Sequence, residues 1–285
     1  MQTAENATKP CEVPWARLRL PPFPQVALRV LHLAGEENVQ LHQLSELISS
    51  DPALASEVLT IVNSLVYAPR CPITSVLQAI AVMGANHLQG LCLTAAVRSY
   101  MGDLLSTPVM RTLWLHNLAS ATIAEQLASA GFMDRDVAFT YGIMHEIGRF
   151  AVAAVRPKNY GELLATYVGP ASGILEREKE VFGKDHCEIG KLLVEEWKLP
   201  EEFETIVSGH HDEFATTGTW DLPDLIHASC NLADSAGFPA FAGCLSSPFC
   251  ESAERLPPCE RKFISRGVEN LAQEISRKIK AIESI

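Results

Sequence analysis

No CxxC pair occurs in this chain, although it holds eight cysteines among 285 residues. Without such spacing, and without an export signal, the cysteines read as reduced thiols rather than as a disulfide framework. Cys244, Cys250 and Cys259 gather in one loop-like stretch, but their irregular spacing makes a weak zinc signature. Positive charge is also scarce: 23 Lys and Arg stand against 34 Asp and Glu, for a net charge of -11, and no Lys/Arg run stands out. A surface this acidic repels phosphate backbones, so nucleic acid is not an expected partner. Long apolar runs are missing too. The most apolar stretch, residues 73–97, is broken by Gln78, Asn86, His87, Gln89 and two glycines, and reads as a buried helical pair rather than a membrane span. The polar N-terminus lacks the charged-then-apolar order of a signal peptide, which points to the cytoplasm. Sustained strand alternation between turn signals is absent as well.

What is present is helical periodicity in a chain that is 47% hydrophobic and 20% charged. Val26, Val30, Leu31 and Leu33 form one apolar face; Leu41, Leu44, Leu47 and Ile48 form another; Leu54, Val58, Leu59, Ile61 and Val62 form a third. Asp51-Pro52 is a helix start, with an Asp cap and Pro at the first helical position. Thr74 or Ser75 would cap a helix through Met83, closed by Gly84. The expected class is all-α. A polar tail (1–17) precedes a first helical subdomain (18–108), which GDLLSTP interrupts before a second helical core (109–236). Residues 237–258 are rich in Pro, Gly and Ser and read as a loop. In 259–285, Ile264, Val268, Leu271, Ile275, Ile279 and Ile282 mark one amphipathic helix, which would pack back on the body or meet a partner.

The histidines of the second half have an order. His116 lies in LWLHNLASATIAEQLA, His145-Glu146 ends VAFTYGIMHEIGRF, His186 opens HCEIGKLL, His210-His211 closes EEFETIVSGHH, and Asp234 lies in DLIHASCNLADSAGF. Any one alone reads as a satisfied core histidine. Five histidines with two carboxylates are a different matter, because imidazole and carboxylate are the ligands that hold iron, manganese, nickel or zinc. Adjacent ligands on one helix point about 100° apart. One pair can then serve two neighbouring ions, and two ions about 3.5–4 Å apart can clamp a phosphoester.

That order, H, HE, H, HH, D, resembles the HD superfamily of metal-dependent phosphohydrolases, whose hallmark HDIGK stretch reads HEIGR here. The second half is similar to the HD-GYP branch. The resemblance implies liganding positions at His116, His145, His186, His210, His211 and Asp234, with Glu146 where Asp is expected. It implies one or two divalent ions, Fe, Mn, Ni or Zn. In the first half, LRLPPFPQVALRVLHLA, then LSELISSDPALASEVLTIVNSLVY, then ITSVLQAIAVMGANHLQGL resembles the HDOD family through its LPxxP start, its DPAL helix start and the Asn63-Ser64 pair. The likeness spans residues 18–237. It implies an N-terminal helical bundle packed on an HD-like helical core, in a bacterial protein tied to signalling or regulation and without demonstrated hydrolase activity.

Two departures from the HD pattern bear on chemistry. Glu146 carries its carboxylate about 1.5 Å further out than Asp would, which alters the bridging geometry. Arg149 replaces Lys; it keeps the charge and can hold a phosphate bidentately, but it is not equivalent to Lys. Thr112 stands where some HD-GYP members carry a further liganding Glu, so a trinuclear site is not expected. Outside the ligand set, Asn63 and Ser64 either face a ligand or end their helix by bonding nearby backbone, the latter being favoured. His87 would cap or pack, His32 and His42 would lie at or near the surface, and His227, seven residues before Asp234, would support it from behind. Three functions follow: a regulatory module that acts through an unknown signalling partner, a metal-dependent phosphohydrolase acting on a nucleotide or cyclic dinucleotide, and a metal-holding protein without turnover. Regulation is favoured over catalysis.

Overall fold

The computed structural model describes residues 22–34, 40–64, 67–131, 133–212, 220–264 and 267–283. The polar tail and the first residues of the LPxxP start lie outside them. Among the described residues the architecture is all-α, and the only β pairing is one isolated parallel bridge between Gly169 and Cys244.

The first half is a bundle of α1 (Gln25–Ala34), α2 (Leu41–Ser49), α3 (Pro52–Val62), α4 (Val76–Met83) and α5 (Ala85–Met101). The local signals behave as their chemistry dictates. The Asp51 carboxylate accepts from the N–H groups of Ala53 and Leu54, with Pro52 opening α3. Ser75 Oγ accepts from Gln78 N–H, and Gly84 at φ 88° turns the chain from α4 into α5. Asn63 closes α3 with its side chain: Nδ2 donates to the Leu59 and Ile73 carbonyls, and Oδ1 accepts from Ile73 N–H. It therefore pins the following loop rather than facing a ligand. Leu41 departs from its expected face. As the first residue of α2 it is 48% exposed, while Leu44 and Ile48 are buried.

After a 3-10 turn over the expected interruption, Thr107 caps α6 (Pro108–Ala130), the 23-residue post of the second half. Packed along it are α7 (Arg135–Met144) and α13 (Leu222–Ser235). Between them run α8 (Ile147–Val155), α9 (Pro157–Thr166), α10 (Ile174–Phe182), α11 (His186–Glu196) and α12 (Glu201–Gly209). The expected loop at 237–258 holds a short helix, α14 (Phe249–Glu254). The C-terminal stretch is two helices rather than one: α15 (Pro258–Ile264) and α16 (Val268–Glu283), separated by Gly267 at φ 91°. Ile264, Leu271, Ile275, Ile279 and Ile282 are buried, and both helices pack on α6.

The halves share one apolar core. Helix α5 lies against α7, and the Trp197 ring sits 4.7 Å from Phe23 and 6.1 Å from Tyr100. His87 is a polar joint between them: Nδ1 is 2.8 Å from Asp136 Oδ1, and Nε2 is 3.1 Å from the Tyr67 hydroxyl. No helix among the described residues is long and apolar enough to cross a membrane.

Candidate metal centre

Close backbone approach builds the site. His145 and Glu146 occupy the break between α7 and α8, with Glu146 at φ -99°, ψ 16°. A Cβ on Gly142 would come within 2.5 Å of Ala121 Cα on α6, so only glycine lets α7 end beside His116. A Cβ on Gly148 would overlap the carbonyl oxygen of His186, so the glycine of HEIGR is what lets α8 touch the start of α11. That start is fixed by a capping box, in which Asp185 accepts from Glu188 N–H and Glu188 accepts from Asp185 N–H. His210 follows α12 directly and is buried, while His211 is half-buried.

Four imidazoles commit Nδ1 to an oxygen acceptor. His116 Nδ1 donates to the Phe238 carbonyl at 2.8 Å, His145 to Gly142 at 2.7 Å and His210 to Val207 at 3.2 Å. His186 donates to Glu178 Oε2 at 2.6 Å. That leaves Nε2 of each ring to face the site. The Nε2 atom of His186 lies 3.3 Å from that of His210 and 3.1 Å from that of His211. Glu146 Oε2 is 3.3 Å from His186 Nε2 and 3.6 Å from His210 Nε2. Candidate ligand atoms of His186, Cys187, His210 and His211 all fall within 4.8 Å of one another, and so do those of His116, His145, Glu146 and Cys230. Glu146 thus belongs to the second group while one of its oxygens faces the first. His145 Nε2 and Glu146 Oε1 are buried without a hydrogen-bond partner.

The electrostatics follow from burial and charge. Burial, together with neighbouring His210 and His116, outweighs Glu146 and lowers His145 to about 3. Burial and the nearby His210 and His186 hold His211 well below the usual imidazole range. His186 behaves differently. Burial and Arg149 push it down, but Glu178, Cys187 and Glu146 raise it to about 10. Burial pushes Glu146 up, yet Arg149 and the facing histidines hold it well below the carboxylate range. Burial pushes the Cys230 thiol up, while the nearby Cys230 and Asp234 raise His116 well above the usual imidazole range against the effect of its own burial.

Three residues of the expected set stand outside the converging atoms. Asp234 sits behind His116, with Oδ1 3.2 Å from Nδ1, and also accepts from Ala240 N–H at 3.0 Å. Arg149 is wholly buried; Nε donates to Glu146 Oε2 at 2.6 Å, and the guanidinium lies 5.9 Å from the Phe241 ring centre. Burial and the nearby His210 lower His227 to about 4. Two residues were not singled out by the sequence. Glu178 accepts from His186 Nδ1, from His186 N–H at 2.9 Å and from the Tyr160 hydroxyl at 2.7 Å. Cys230 lies 3.4 Å from His116 Nε2. A third cluster, His87, Glu125 and Asp136, is already neutralised: both His87 nitrogens are engaged, and Glu125 pairs with Lys278 and Arg135.

Known proteins share this architecture. A Treponema pallidum (strain Nichols) protein, itself uncharacterized, is 24% identical over 197 residues, covering 68% of this chain; the chain spans 38% of that relative's length. The crystal structure of an HDOD domain protein of unknown function from Geobacter sulfurreducens superposes with a TM-score of 0.71 at 20% identity, over 94% of each chain. A "Putative signal transduction protein" from Marinobacter aquaeolei VT8 gives 0.71 at 21% identity, over 92% of this chain and 59% of its own. At these identities the structures establish the fold alone. The HDOD domain family model matches residues 20–213, most of the chain, and the protein therefore belongs to the HDOD family.

Proposed function

We propose that the chain is a bacterial regulatory, signal-transduction module whose buried histidine cluster holds one or two divalent transition-metal ions and does not hydrolyse phosphoesters. The observation that carries the metal is the convergence of ring nitrogens. The Nε2 atoms of His210 and His211 lie 3.1–3.3 Å from that of His186, the spacing that ligands of one ion adopt. Two imidazole nitrogens on one tetrahedral ion, each about 2.0–2.1 Å from it, stand about 3.3 Å apart. His186, His210, His211 and Glu146 would hold one ion; His116, His145 and the other Glu146 oxygen would hold the second. Glu178 and Asp234 orient His186 and His116 from behind. The donor set suits Fe, Mn, Ni or Zn.

Burial favours regulation over turnover. His116, His145, Glu146 and His186 are each at most 1% exposed, and a surface hollow of about 860 Å³ between α6, α15 and α16 lies away from them. A centre this deeply buried suits structural or sensing work, with output through contacts to a separate signalling protein in the cytoplasm. One observation favours hydrolysis instead: Glu146 sits between both ligand groups, as a bridging carboxylate must. In that reading bound ions supply Lewis-acid charge and a nucleophile at neutral pH. The chain's own part would be Arg149, whose Nη atoms have no hydrogen-bond partner and could meet a phosphate of a nucleotide or cyclic dinucleotide.

Metal analysis of protein purified without chelator, followed by assays on a chromogenic phosphodiester and on cyclic dinucleotides, tests both. The expected result is at least one equivalent of metal and no turnover. Less than about a tenth of an equivalent of any transition metal would sink both metal readings. Turnover abolished by chelation would decide for the hydrolase.

A further inference from the structure

We infer that Cys230 is a thiolate ligand of the second metal position, the one formed by His116, His145 and Glu146, and that it makes this position selective for a thiophilic ion such as zinc. The inference rests on the metal reading above and deepens it.

Cys230 and Asp234 lie one helical turn apart on α13, and both are buried. They flank the two nitrogens of His116: Asp234 Oδ1 is 3.2 Å from Nδ1, and Cys230 Sγ is 3.4 Å from Nε2. The Phe238 carbonyl and the carboxylate hold the Nδ1 side of the ring, while the sulfur lies at Nε2, the side on which an ion would sit. A tetrahedral ion at about 2.05 Å from nitrogen and about 2.3 Å from sulfur separates the two by about 3.5 Å. An S–H···N contact alone accounts for that spacing. It does not account for His145 Nε2 and Glu146 Oε1, which are wholly buried and unpartnered within the same group.

Asp234, the ligand expected from the sequence, has its oxygens turned elsewhere. Oδ1 accepts from Ala240 N–H at 3.0 Å, and Cys244 Sγ lies 3.5 Å from Oδ2. The sulfur one turn earlier occupies the inward place. A set of two nitrogens, one oxygen and one sulfur favours zinc over manganese or magnesium, which prefer all-oxygen surroundings. On coordination the metal replaces the thiol proton, which leaves to solvent.

Cobalt(II) titration of the full, chelator-stripped chain provides the test. A thiolate-to-cobalt charge-transfer band should appear in the near ultraviolet, persist in Cys187→Ser and vanish in Cys230→Ser. The affinity of that variant for the second equivalent should fall at least about tenfold. X-ray absorption at the zinc edge of the unmodified chain checks the same point without a variant, and should show one sulfur at about 2.3 Å. Cobalt bound with no band, or a zinc shell of nitrogen and oxygen only, overturns the Cys230 assignment and leaves the metal centre standing. A band that survives in Cys230→Ser but is lost in Cys187→Ser places the sulfur on the other ion and also overturns it. Failure to bind cobalt or zinc at all overturns the metal reading, and the Cys230 assignment with it.

Discussion

Glu146 and Arg149 form a wholly buried ion pair at 2.6 Å. Removing one partner of such a pair strands the other charge. Glu146→Gln in chelator-treated protein should lose about 3–5 kcal/mol in urea unfolding. Because the folded carboxyl is held well below its usual range, its contribution is complete above the unfolded value of about 4.3. It fades as pH falls below that toward the folded value, so the variant should show a flatter acid limb than the parent. Glu178 acts on His186 from behind, and Glu178→Gln should weaken metal binding about 10–100-fold, read by competition with a chelating dye. The five histidines are legible in the sequence because each falls within or beside an apolar helical face. Glu178 is not: it is one of three glutamates in ILEREKEVF, and only its register with Ile174 and Phe182, the other buried residues of α10, marks it. Cys230 escapes notice because a buried cysteine looks like any small apolar residue until its neighbours are known.

At the scale of the elements, the site depends on where helices touch. Gly148 brings α8 onto α11, and an added methyl would meet backbone, which cannot swing aside. Gly148→Ala should therefore cost about 1–3 kcal/mol or more in thermal or urea unfolding and lower metal occupancy with it. Gly→Ala at an unobstructed helical position would stabilise instead, so the sign is informative. Capping chemistry is local and can be read directly, as Asp51, Ser75 and Thr107 show. The C-terminal break is harder to see. Ile264 and Val268 keep a spacing of four across Gly267, so the apolar stripe runs unbroken through a turn that divides two helices. Likewise α14 hides inside a stretch whose Pro, Gly and Ser content reads as loop.

For the whole molecule, one core joins the two halves that composition separates near residue 102. Trp114 lies in that core and Trp197 at the join, so fluorescence reports on both regions. Urea unfolding followed by fluorescence and by far-ultraviolet circular dichroism should give coincident transitions; two separated transitions would mean the halves unfold independently. Ile275 anchors α16 in the same core, and Ile275→Ala should lower the shared midpoint, at a cost of about 2–5 kcal/mol, without splitting the transition.

Helix α7 gives these scales a common axis. It is a ten-residue rod, about 15 Å long by standard helical rise. Its C-terminal end runs straight into His145 and Glu146. Its first turn carries Asp136, which holds His87 of the first half. One rod is therefore moored at both ends, by the ligand cluster and by the joint between the halves, and Gly142 clamps it to α6 in between. Neither mooring can be reset without re-aiming the other.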